Sequence, residues 1–293
     1  MTPEQILDRA RASDDSLAAD PAALAQAVRA FVEAGNAASA LELVGRAWRA
    51  WASSGRLEEG RAAAELALSA GRDTHGVWRA RALYADGVIA FRAGDSERSR
   101  ARNLELLNIA RATEDVRGEC DGLTGMARLA LRRGDYPEVV RLAREARQKA
   151  LVAGDRAAEA APLHLEAAGM RLQRRYDDAR RLYVDSLELN QRLGNRPVVA
   201  MERHNLGWVD LHRGDPDAAE AWFRERDTNS SRDAYGNAWA ELNWAAVAVA
   251  RGRLDEARRR FELGAAALER LGIALDPDDQ VEFDWLATQT RVP

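Results

Sequence analysis

A chain of 293 residues fits two ordinary domains or one extended repeat domain. With 31% charged and 46% hydrophobic residues it has the composition of a soluble folding chain, which excludes a disordered one. The net charge of −4 gives no reason to expect nucleic acid as a partner, and only Lys149 among the 43 basic residues is lysine.

The N-terminal stretch "MTPEQILDRARASDD" is charged throughout and lacks the apolar core of a secretory leader. No run of about 18 apolar residues occurs anywhere, so no membrane span is expected. Cys120 is the single cysteine; it can form no intrachain disulfide, which suits a reducing compartment, and a cytoplasmic location is expected. Thr2 and Gln5 read as a capping box around Pro3 at the first helical position. Asp20-Pro21 opens a second helix that runs to about Ala34 and stops at Gly35-Asn36. These two helices, residues 1–36, are predicted to cap a regular array.

The array follows, and its signature is a tight turn that returns. It falls at Gly55, Gly94, Gly134, Arg174, Gly214 and Gly252, at intervals of 39, 40, 40, 40 and 38 residues. Glycine ends one helix in a left-handed conformation that costs it little. The next residue is Asp95, Asp135 or Asp215 in three units and can accept bonds from the free N–H groups of the following helix. Two after the turn stand Leu57, Tyr136, Tyr176 and Leu254, placed to pack back on the first helix. Five after it the residue is small (Gly60, Ser99, Ala179, Ala219, Ala257, with Val139 the largest), and seven before it small again (Gly87, Ala127, Ala167, Gly207, Ala245). Small residues on facing helices let the axes approach to about 8–10 Å. Nine after the turn come Tyr183, Phe223 and Phe261. The unit is therefore a helical hairpin. The adhesion-type tripeptide Arg133-Gly134-Asp135, repeated at Arg213-Gly214-Asp215, is read as its elbow, since it varies freely in the other turns.

Hairpins continue to about Leu271. The polar stretch "RDTNSSRDAYG" (226–236) is predicted to be a longer connection between repeats. "LDPDDQ" restarts the chain into a last helix, about 277–290, that caps the other end. The expected organisation is one continuous array: capping helices 1–36, repeats 37–271 and a capping segment 272–293.

These residues resemble the tetratricopeptide repeat, most closely in "NLGWVDLHRGDPDAAEAWF" (205–223) and "NWAAVAVARGRLDEARRRF" (243–261), in the longer variety of about 40 residues. The resemblance covers residues 37–271 and implies an all-α, right-handed α-solenoid of about six hairpins that binds a protein or peptide in its concave groove. A narrower likeness, carried by residues 46–68 and 277–291, is to the sensor region of large ATP-dependent bacterial transcriptional activators. No phosphate-binding loop of such activators is present.

In that register the groove positions lie 13, 10, 6 and 2 residues before each turn. They collect Arg81, Tyr84, Arg92, Arg128, Arg132, His164, His204, Trp208, His212 and Trp239, against two acids, Glu42 and Asp121. A basic, aromatic groove is suited to an anionic ligand or an acidic, aromatic-bearing peptide, with Arg forking to carboxylate and Trp as a flat anchor. Trp48 and Trp51 are read as packing residues of the first hairpin, Trp244 and Trp285 of the last elements, and Cys120 as a buried structural thiol. No catalytic constellation, metal site or cofactor motif is found. The expected role is a non-catalytic scaffold or regulatory sensor; the alternatives are a small-molecule or peptide-pheromone receptor and an enzyme or accessory subunit of a biosynthetic pathway.

Overall fold

The computed structural model describes residues 1–12, 20–74, 76–229, 234–271 and 275–291, and every regular element among them is helical. In chain order these are α1 (Pro3–Ala12), α2 (Pro21–Glu33), α3 (Ala37–Ser53), α4 (Leu57–Ala70), α5 (Val77–Arg92), α6 (Ser96–Ala112), α7 (Val116–Arg132), α8 (Tyr136–Val152), α9 (Arg156–Leu172), α10 (Tyr176–Arg192), α11 (Arg196–His212), α12 (Pro216–Asn229), α13 (Ala234–Ala250), α14 (Leu254–Leu271) and α15 (Pro277–Thr290). The fold class is all-α, of helical hairpins of the solenoid type. No described helix is long and apolar enough to cross a membrane.

The starts and stops follow from local chemistry. Gln5 N donates to Thr2 Oγ1 and Thr2 N to Gln5 Oε1, the reciprocal cap expected at α1. Asp95, Asp135 and Asp215 each accept a backbone N–H three residues on, at 2.9, 3.3 and 3.0 Å. All six predicted elbows take positive φ, from 60° at Arg174 to 82° at Gly94. A second series, Gly35, Glu114, Gly154 and Gly194, is also left-handed and joins one hairpin to the next. Of this series only Gly35 was expected, as the stop of the second helix. Part of the predicted connection at 226–236 is helical instead: α12 continues through Asn229 and α13 begins at Ala234, while 230–233 lie outside the described residues.

The chain divides into two compact units, Met1–Leu129 with Glu145–Ala158, and Ala130–Arg144 with Glu159–Pro293. In the first, α3 packs between α2, α4 and α5 around the buried Trp51, whose Nε1 donates to Pro21 O. Asp86, fully buried on α5, is held bidentately by Arg98 and singly by Arg102. Cys120 is buried and bonded to Ala158 O, and burial pushes its thiol up to about 12, so it is inert.

In the second unit the small-residue register holds. Ala179, Ala219 and Ala257 are buried to 0% exposure, as are Ala167, Ala245, Tyr183 and Phe223. Gly207 shows why its position is small: a Cβ there would stand 2.2 Å from the Phe223 ring. Leu254 departs from the pattern and is 44% exposed.

Candidate functional site

The second unit carries its charged residues in an unusual place, inside. Arg171, on α9, has a side chain 1% exposed; its Nη1 donates to Glu282 at 2.8 Å and its Nη2 to Asp278 at 3.1 Å. Both carboxylates belong to α15. That helix starts with Asp276 as its N-cap residue, Pro277 at its first position, and Asp278 and Asp279 in its first turn. Acids there suit the positive end of the helix dipole. The spacing of four that puts Asp278 and Glu282 on one helical face also lets both grip one guanidinium. The acidic neighbours outweigh burial and keep the Arg171 pKa raised.

α15 makes further contacts with first helices. His212, on α11, meets Glu282 at 2.7 Å and stacks on Tyr176 with the rings 14° apart. Tyr235, on α13, donates to Asp279 at 2.5 Å, and His204 Nε2 stands 3.6 Å from the same carboxylate. Trp285 sets its ring edge-on against Trp208 and His212, at 5.8 and 5.5 Å between centroids. Leu286 closes the contact with no exposure at all. The acidic and aromatic residues of the chain's own last helix thus cover the basic and aromatic residues of α9, α11 and α13.

Next to this contact lies a second buried carboxylate. Glu202 is 0% exposed; it accepts from Ser186 Oγ at 2.5 Å and lies 3.1 Å from His164 Nδ1. Burial disfavours a charged His164, but Glu202 outweighs it and the His164 pKa is raised. Ser186 donates to the carboxylate and not to the imidazole, so the trio activates no hydroxyl. For His204 burial prevails and lowers the pKa, so the ring is neutral at pH 7.

α9, α11, α13 and the first turn of α15 also enclose a cavity of about 500 Å³, lined among others by His204, Met201, Tyr235, Trp239, Asp276 and Asp279. No group of three His, Cys, Asp or Glu suited to a metal occurs among the described residues.

Among the residues expected in the groove, Arg92 ends α5 and is exposed. In the second unit, His164, His204 and Trp239 line the cavity, and His212 meets α15. Trp208 and Trp239, at 0% and 2% exposure, correct the expectation of flat open anchors: they pack edge-on to each other at 6.4 Å, and Trp208 Nε1 donates to Asn243. The reason is that Phe223 and Trp285 of α15 cover Trp208, and His204, Trp208 and Tyr235 surround Trp239. Arg132 is half-buried; burial lowers its pKa, partly offset by Asp276. In the first unit Arg81 is paired with Asp121 at 2.7 Å, and Arg128 reaches the Tyr84 hydroxyl at 3.4 Å. Tyr84 in turn sits edge-on to Trp48.

Sequence reasoning missed Arg171, Glu202, Asp279 and Glu282. The first two fall outside the groove register, three and twelve residues before their turns. The signal was present in "DPDDQVEFDW", where Asp278, Asp279 and Glu282 fall on one side of the predicted last helix.

Comparison with known proteins agrees with this architecture. Residues 158–226 match the tetratricopeptide repeat family model. No curated protein matches the chain. Among solved structures, the apo form of RapI is similar over 80% of this chain and 84% of its own, at 11% identity and a TM-score of 0.61. A Rap protein complexed with competence and sporulation factor is similar over 94% of this chain and 80% of its own, at 12% identity and 0.60. BtubC from P. vanneervenii is similar over 75% and 93%, at 19% identity and 0.60. Likeness at such identities establishes a shared fold.

Proposed function

We propose that this chain is a non-catalytic recognition module, a scaffold or regulatory sensor, that binds a peptide or protein segment through the first helices of its second unit. One observation carries the reading. The surface formed by α9, α11 and α13 already holds a helix bearing carboxylates and aromatic rings, so its chemistry is that of a surface built to receive a polypeptide. Rigid hairpins lose little entropy when such a segment docks. The fold-level likeness to a Rap protein complexed with competence and sporulation factor accords with a peptide as the partner. In a second concavity of the unit, about 500 Å³ around Arg144, Glu166 and Arg180, Arg144 is paired with Glu166 and Arg180 with Asp210. It offers no comparable anchor.

The test is site-specific photo-crosslinking in native cytosol. A crosslinking residue at Met201, which lines the cavity and is 39% exposed, captures the partner. One at Arg181, on α10 with its side chain 73% exposed, does not. Capture from Arg181 with silence at Met201 contradicts the reading.

A further inference from the structure

The expectation from sequence was a groove for anions. α15 reverses that at the cavity it helps to enclose. Its first turn brings Asp276, Asp278 and Asp279 to one wall. The buried Arg171 is committed to Asp278 and Glu282, and Arg226 is tied to Asp227 and the Gly236 carbonyl. The other arginine of the lining, Arg196, is solvent-exposed, where its field is screened.

A second, independent observation points to a ligand. His204 is 6% exposed and Trp239 2%, both line the cavity, and Trp239 Nε1 and the His204 ring nitrogens have no partner within 3.5 Å, with His204 Nε2 facing the Asp279 carboxylate across 3.6 Å. A neutral imidazole offers one acceptor nitrogen. Asp279 accepts one hydrogen bond, from Tyr235, out of the roughly four a carboxylate can take. The rings of Trp239 and Tyr235, 6.4 Å apart, supply aromatic surface of the kind that attracts a desolvated cation. An anion entering here would face the Asp279 carboxylate, whereas Asp278 is already paired with Arg171. An ammonium or guanidinium finds acceptors at each step.

We propose that this cavity is a binding site for a cationic group, an ammonium or guanidinium, held by the Asp279 carboxylate and the unbonded acceptor nitrogen of His204 against the rings of Trp239 and Tyr235. The group belongs either to a free small amine or to a lysine or arginine of a bound peptide. The inference rests on reading this face as the recognition surface and adds the charge of what it recognises.

The experiment titrates the full chain, with ¹⁵N-labelled tryptophan, and follows the Trp239 indole resonance, assigned through Trp239→Phe. The probes are n-butylammonium, n-butyrate at matched ionic strength, and the peptide acetyl-Ala-Lys-Ala-Ala-amide. The cations shift the resonance and butyrate does not. A response to butylammonium assigns the site to small amines; a response to the peptide alone assigns it to a peptide side chain. Asp279→Asn weakens cation binding at least about tenfold, because a charged hydrogen-bond partner is lost. Arg196→Gln, at an exposed position that leaves folding intact, strengthens cation binding about twofold by removing a screened like charge. A resonance moved by butyrate, or by none of the three probes, overturns the proposal. So does cation binding that Asp279→Asn leaves unchanged in a folded chain, or that Arg196→Gln weakens. Photo-crosslinking from Met201 can succeed where this titration fails, so failure of the charge assignment and failure of the recognition surface remain distinguishable.

Discussion

At the scale of single residues, the fold depends on size matched across a helix pair and on protons held in buried pairs. Gly207→Ala drives a Cβ into the Phe223 ring and costs about 1–3 kcal/mol of stability by chemical denaturation. Phe223→Leu in the same chain relieves the clash, so the double variant loses less than the two single losses combined. The position of Gly207 was legible, because the same offset from the turn is small in the neighbouring hairpins. The state of His164 was not, because it depends on Glu202, which reaches it from the next hairpin. A histidine whose folded pKa is raised stabilises the fold fully below its ordinary value of about 6.5 and loses that contribution as pH rises through the folded value. The stability difference between the native chain and His164→Asn should therefore shrink from pH 6 to pH 8 in urea melts. His204, whose pKa is lowered, acts in the opposite direction, and taking the difference against His164→Asn removes its contribution.

At the scale of elements, α15 is the informative helix. Its boundaries were readable from Asp276-Pro277 and the apolar residues that follow, and the structure places it at Pro277–Thr290. Its role as more than an end cap was not readable, because the residues it meets are scattered over α9, α11 and α13 and come together only in the folded chain. Arg171 and Glu282 are nearly inaccessible, so removing one partner strands the other's charge in a poor solvent. Glu282→Gln should cost about 3–5 kcal/mol in a denaturant titration, more than an exposed pair would. The exposed i,i+3 pair of Glu58 with Arg61 provides the contrast, and Glu58→Gln should cost no more than about 1 kcal/mol. A buried ion pair of this kind adds little stability over an apolar equivalent, but it specifies which helix can occupy the surface. A replacement without carboxylates would leave Arg171 and His212 unpaired.

At the scale of the whole molecule, the periodic turns and the small-residue offsets made the hairpin class legible from end to end. The left-handed series between hairpins shows a second regularity that the elbow alignment passed over, because Glu114 interrupts its glycines. Of the residues that line the cavity, His164, His204 and Trp239 were legible by register, and Asp276, Asp278 and Asp279 were not, since they belong to a helix remote in sequence. The proposed function requires that partners be read by the first helices of the second unit. Hydrogen exchange of the full chain, with and without the partner captured by crosslinking, tests it most directly. Exchange should slow in peptides from α11, α13 and the first turn of α15, with α10 and α12 unchanged. Protection confined to α10 and α12, with α11, α13 and α15 exchanging as in the free chain, would contradict it.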